Sequence, residues 1–222
     1  MTLFQRLKKA ADDEWAAYTH HDFVRQLEAG TLPPEAFRNY LIQDYLFLIQ
    51  FARAYALAAY KGRTLADVTQ GLRGLSASVE ETELHVRLCA RWGISREDME
   101  ATPEHPATVA YTRYVLDAGN RGDLLDLHVA LAPCVVGYAE IGARLQPVLD
   151  DHPDHPYAEW IAEYASEQSQ QLAADAVAEL DSLGARFLPE ARFGEVAETF
   201  ATATRMESAF WQMGLELADA ER

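Results

Sequence analysis

The sequence predicts an all-α bundle, on three observations. No run of residues alternates apolar and polar with the period of a half-buried strand. Apolar residues instead recur at three- and four-residue spacing along most of the chain, punctuated by Gly, Pro and capping residues. The stretch YLIQDYLFLIQFARAYALAAY, Tyr40–Tyr60, is apolar and aromatic nearly all round, holds no Gly or Pro, and is long enough for about six helical turns. A helix apolar on every side belongs at the centre of a bundle or in a membrane. Gln43, Asp44, Gln50 and Arg53 interrupt this one, and a bilayer tolerates such groups poorly. A soluble bundle is the expectation.

The elements follow in order. Thr2 to about Tyr18 reads as one amphipathic helix with Phe4, Leu7, Ala11 and Trp15 on its buried face. Phe23, Val24 and Leu27 belong to a short second helix stopped by Gly30, and Thr31–Glu35 leads into the central helix, which Gly62 closes. From Leu65 to Trp92 helical spacing resumes, with Leu72, Leu75, Val79, Leu84 and Leu88 as expected core and Gly93 as the stop. Residues 95–105 form a connection, and Pro106 or Ala107 opens a helix through Tyr111 and Tyr114 to a turn at Gly119–Gly122. Asp123 to about Leu149 is a helix with Pro133 inside it, where a kink is expected because proline frees the Val129 carbonyl. Asp150–Pro156 is a loop. Tyr157–Leu183 and Phe193 to about Ala220 are two last long helices, separated by Gly184 and Pro189. That makes seven or eight helices and, with no linker, repeat or low-complexity tract, a single domain over residues 1–222.

A formal net charge of −16 and only three lysines, Lys8, Lys9 and Lys61, argue against nucleic acid and anionic membranes as partners. Cys89 and Cys134 form no disulfide framework or zinc motif, and the N-terminus lacks the apolar core of a signal peptide, so a reducing cytoplasm is expected. The Glu-x-x-His pairs of a di-iron bundle are absent: Thr82, Leu125 and Ala17 stand three before His85, His128 and His20. No Ser/His/Asp motif or phosphate loop is present.

Four kinds of residue could carry chemistry. Asp44 shares a helix face with Phe47, Leu48, Phe51 and Tyr55, so it needs a partner: Arg53 or an arginine from another helix, or a polar ligand inside the bundle. Cys134 follows Pro133, lies on one face with Tyr138, and has Gly137 and Gly142 nearby to create room. A core thiol is ordinarily just a small apolar group, the account that suffices for Cys89. Glu207 sits beside Phe210, Trp211 and Gly214, either paired near Arg205, exposed, or a proton donor on an aromatic face. Ten tyrosines supply core aromatics, or phenols able to stack on and hydrogen-bond a flat, nitrogen-rich ring.

YLIQDYLFL, LAPCVVGYAEIG, YAEWIAEYAS and ESAFWQM, in this order and spacing, resemble the cysteine-containing branch of the TenA family, the class II thiaminases, over nearly the whole chain. The resemblance implies a haem-oxygenase-like fold without haem or metal, no cofactor, a homotetramer, and hydrolysis of aminopyrimidines in thiamin salvage with slower cleavage of thiamin. It implies that Cys134 adds to the pyrimidine ring and that Glu207 shuttles protons. Asp44 would hold the amino side of the pyrimidine, and Tyr138, Tyr111 and Tyr164 would line the pocket. Phe47 stands where relatives often carry a tyrosine, and Met206 where an aromatic often precedes the glutamate; the Phe47 ring can still stack, without the hydroxyl.

Three alternatives stand beside this. A haem- or iron-binding oxidase of the same fold needs a placed histidine, whereas His20, His21, His105, His152 and His155 fall at ends and in loops. A transcriptional regulator needs a basic recognition helix. A carrier of thiamin-related pyrimidines would keep working after Cys134→Ser.

Overall fold

The computed structural model describes residues 1–220, apart from the Leu84 side chain, so the core role expected of Leu84 lies outside the described residues. Among the described residues every regular element is helical. The helices are α1 (Leu3–Ala10), α2 (Asp12–Thr19), α3 (Asp22–Glu28), α4 (Pro34–Lys61), α5 (Leu65–Arg91), α6 (Arg96–Ala101), α7 (Pro106–Arg121), α8 (Leu124–Asp151), α9 (Ala158–Ala165), α10 (Glu167–Phe187) and α11 (Phe193–Ala220). The chain clusters into two compact units. The first comprises Met1–Leu32 and His128–Ser208, the second Pro33–Leu127 and Ala209 onward.

In the first unit the expected N-terminal helix is two. Thr2 caps α1 through a reciprocal pair with Gln5, and the chain breaks at Ala11 before α2. Phe4, Leu7, Ala11 and Trp15 are nonetheless all buried, as their spacing predicts. Trp15 stacks on Phe200 of α11 at 5.7 Å and meets Phe4 edge-on at 5.4 Å. Its indole N–H donates to Glu140 of α8, which also takes Lys8 at 2.7 Å. The single helix expected over Tyr157–Leu183 breaks at Ser166, whose side chain caps α10 by accepting from the Ser169 N–H. Gly184 does not end that helix; it lies inside α10, its bare Cα facing Leu3. Gly30 does end its segment, at φ +68°.

The second unit is built on α4. Phe37, Tyr40, Leu41, Phe47, Leu48 and Phe51 are buried, as expected of the central helix. Gln43, 4% exposed, ties α7 to it: it donates to the Pro103 carbonyl and accepts from the His105 N–H and the Thr108 hydroxyl. The connection over 95–105 contains α6, capped by Ser95 with Asp98, which the sequence reading missed. The turn expected at Gly119–Gly122 is helical up to Arg121.

For α5 the expected face is the wrong one. Leu72 and Val79 are 55% and 51% exposed, and Leu75 and Leu88 are only half-buried. The buried face carries Gly71, Ser78, His85 and Cys89 instead. The cause is close approach to α4. A Cβ on Gly71 would lie 2.5 Å from the Ala59 backbone nitrogen, and one on Gly74 would lie 2.2 Å from the Tyr55 ring. Only glycine fits at these two points, so the large residues of this stretch turn outward.

Helix α8 is apolar and long enough to cross a membrane by composition alone, but most of its apolar window is buried within the protein. Helices of soluble cores share that composition.

Candidate active site

In the first unit, α8 presents Cys134, partly exposed, and one turn later Tyr138, 5% exposed. The Tyr138 ring lies 4.9 Å from Tyr164 and 6.0 Å from Trp160, both on α9, and 6.5 Å from Tyr18 on α2. Trp160 and Tyr164 are themselves 4.8 Å apart, so three further aromatic rings gather around Tyr138, which stands one turn after the cysteine. The room expected at Gly137 and Gly142 is occupied. Gly137 admits the Tyr18 ring, and Gly142 admits the backbone and Cβ of Tyr164. These glycines therefore seat two tyrosines close against α8 rather than leaving a gap. On α11, Glu207 is 1% exposed and follows the fully buried Phe200 and Thr204 along one face. Its proposed partner Arg205 is engaged elsewhere, pairing with Glu14 at 3.1 Å and Glu198 at 2.6 Å. Glu207 is thus neither exposed nor held by Arg205.

In the second unit, Asp44 is buried with Tyr40 and His85. The Tyr40 hydroxyl donates to Asp44 Oδ2 at 3.3 Å, and His85 Nδ1 lies 3.4 Å from the same oxygen. Among the described residues no arginine supplies the expected pairing, and Arg53 bonds Gln50 instead. His85 Nε2 lies 2.7 Å from the Leu41 carbonyl; a carbonyl only accepts, so Nε2 carries the hydrogen and Nδ1 of a neutral ring is left as an acceptor. Burial pushes the Asp44 carboxyl up to about 7, against a smaller downward pull from the Tyr40 hydroxyl. Burial drives His85 down to about 4, opposed by its bond to Leu41. Between about pH 4 and 7 the pair is therefore neutral, with the proton on the carboxyl and Nδ1 beside it as an acceptor. Phe47, 3% exposed, lies between Phe51 at 5.3 Å, Tyr111 at 5.0 Å and Phe210 at 5.6 Å.

The residues singled out in the sequence thus form two groups: Cys134, Tyr138, Tyr164 and Glu207 in the first unit, and Asp44, Phe47 and Tyr111 in the second. Each group has a buried carboxyl and an aromatic wall. Among the described residues no three or more His, Cys, Asp or Glu gather as a metal site would require.

The family model described as TENA/THI-4/PQQC matches residues 8–217. The chain belongs to that family. An aminopyrimidine aminohydrolase of Halalkalibacterium halodurans is 37% identical over 216 residues, covering 96% of this chain and 95% of that protein. A hydroxymethylpyrimidine/phosphomethylpyrimidine kinase of Saccharomyces cerevisiae is 29% identical over 204 residues, and the match spans 37% of that longer protein. Among solved structures, one described as a TenA family transcription regulator from Silicibacter sp. TM1040 superposes with a TM-score of 0.90 at 44% identity, covering 96% of each chain. A domain of unknown function from Shewanella denitrificans, described as having a heme oxygenase-like fold, has a TM-score of 0.68 at 13% identity over 99% of this chain and 94% of that one. It shows the fold alone, the one expected from the sequence.

Within this TENA/THI-4/PQQC chain, the sequence reading passed over His85, Tyr40, Trp160 and Tyr18. His85 was weighed only as a metal ligand. A usable signal was its place in the series Gly71, Ser78, His85, seven apart, which marks the narrow face of α5. Tyr40 could have been found as the residue one turn before Asp44. Nothing local marks Tyr18, because its approach to α8 depends on the missing side chain at Gly137.

Proposed function

We propose that this protein is a cysteine-dependent aminopyrimidine hydrolase. It would convert 4-amino-5-aminomethyl-2-methylpyrimidine and water into the hydroxymethylpyrimidine and ammonia, with slower cleavage of thiamin. The observation that carries this is the end-to-end match, at 37% identity, to a protein named an aminopyrimidine aminohydrolase. The placement of a partly exposed thiol one turn from a cluster of aromatic rings supports it.

Cys134 adds as the thiolate to a ring carbon while a ring nitrogen takes up a proton, which ends the aromaticity of the pyrimidine. The electron pair then expels the substituent from the exocyclic methylene, and Glu207 delivers the proton that lets it leave as ammonia. Water, losing a proton to Glu207, adds to the methylene. The ring nitrogen gives up its proton, the thiolate departs and aromaticity returns. Atoms balance with water as the only co-reactant.

Asp44 holds the amino side. Its contacts with Tyr40 and His85 both fall on Oδ2, which leaves Oδ1 to accept from the amino group. Tyr138, Tyr164, Tyr111 and Phe47 supply ring faces, the last without a hydroxyl.

The test is ammonia release from the aminomethylpyrimidine by wild type and by Cys134→Ala. Turnover in the first, reduced at least about 10³-fold in the second, is expected. Equal turnover in both would move the nucleophile elsewhere. Tight binding with no turnover in either would make the protein a pyrimidine carrier, and neither binding nor turnover would overturn the substrate class.

A further inference from the structure

The end of α9 is held by one side chain from the next helix. An α-helix leaves its last carbonyls without partners in its own backbone. In α9 the Ser166 N–H takes the Glu163 carbonyl, and the Tyr164 carbonyl accepts from Nε2 of Gln170, near the start of α10, at 3.0 Å. The same Nε2 donates to the Ala139 carbonyl of α8 at 2.9 Å. Carbonyls only accept, so the nitrogen of the amide faces them, and both of its hydrogens are used. Ala139 directly follows Tyr138, so this amide joins the backbone beside two of the clustered rings. Gly142 acts on the same peptide: a Cβ there would collide with the Tyr164 carbonyl carbon and lie 2.7 Å from the Ala165 nitrogen. The Tyr164 peptide is thus fixed twice against α8, by close approach at Gly142 and by the shared amide.

That fixing governs the rings. Tyr138 and Tyr164 stand 4.9 Å apart at 56°. A flat ring sandwiched between them would need about 7 Å, twice a carbon–carbon contact. A ligand ring can therefore only lie across the pair, and the surface it meets depends on the angle between them. Helix α9 has eight residues and is broken from α10 at Ser166. A helix so short does not hold its own last turn, so the angle depends on what clamps it.

We propose that Gln170 is a positioning residue of the aminopyrimidine site, one that sets the Tyr164 ring against Tyr138 by clamping the end of α9 to α8. It acts through Tyr164, not on the substrate. The inference rests on the reading above in which these two rings line the pocket. The next residue supplies a control: Gln171 is exposed and bonds Asp175 on its own helix.

The experiment measures ammonia release from the aminomethylpyrimidine and, by calorimetry, the affinity for the hydroxymethylpyrimidine product, with circular dichroism as a check on the fold. Gln170→Met keeps the length of the side chain and removes both donors. KM and Kd are expected to rise at least about tenfold while kcat stays within about threefold, because ring faces bind ground state and transition state alike. Gln170→Asn, a methylene too short to reach both carbonyls, should behave in the same way. Gln170→Lys restores donors and should recover most of the affinity, and Gln171→Met should match wild type. General loosening of the fold would instead lower kcat with the folded fraction and leave KM in place. That result, or wild-type KM and Kd in both the Met and Asn variants, would overturn the proposal. A wild type that binds the product without turnover, and loses that affinity in Gln170→Met, would end the hydrolase reading and keep the clamp. A wild type that neither binds nor turns over would remove both.

Discussion

Asp44 and His85 exchange a proton when the chain folds. Between about pH 4 and 6.5 the unfolded pair is a carboxylate and an imidazolium; the folded pair is a neutral acid and a neutral ring, because burial raises Asp44 to about 7 and lowers His85 to about 4. The two linkages have opposite signs. A raised carboxyl contributes stability present at low pH and lost as pH climbs through 7. A depressed imidazole contributes stability present above 6.5 and lost as pH falls toward 4. In the wild type they cancel across that window. Asp44→Asn leaves the histidine alone, so the variant's stability relative to wild type should rise from pH 4 to 6.5, by about 3 kcal/mol at most. His85→Gln should do the reverse, losing stability relative to wild type over the same range. Urea melts of both variants along a pH series decide it; parallel profiles would mean that the two groups do not share a proton. The need for a partner at Asp44 was legible from its apolar helix face. The partner's identity was not, because it stands on a different helix, 41 residues away.

Helix pairing in the second unit rests on two glycines. Gly71→Ala would drive a methyl into the Ala59 backbone at 2.5 Å, a collision no rotamer relieves, and should cost about 1–3 kcal/mol. Gly194→Ala, on α11, meets nothing within 4 Å and should stabilise by about 0.5–1 kcal/mol through helix propensity. Midpoints of thermal melts compare the two, and equal losses would sink the close-approach account. The same contact explains why α4 could be read from sequence and α5 only in part. α4 is apolar all round, so any orientation buries it correctly. α5 has two candidate faces, and its leucines pointed to the outer one. Periodicity alone also could not see the breaks at Ala11 and Ser166, where the apolar face continues across a change of helix.

For the whole molecule, the helical class could be read from apolar spacing and the family from four short motifs spread along the chain, whereas the division into two units could not. Cys134 and Cys89 also part company at this scale. Cys134 is partly exposed. Cys89 is fully buried on the α4-facing side of α5, and its thiol is driven up to about 12 by burial and then by the Asp44 charge. Iodoacetamide at pH 8 should therefore modify one thiol in the native protein and two in denaturant, as counted by mass spectrometry; two rapid native equivalents would contradict the burial of Cys89. The slow arrival of the second label then acts as a clock. Its rate reports how often α5 lifts from α4, giving a local opening frequency from a chemistry that the fold itself holds in reserve.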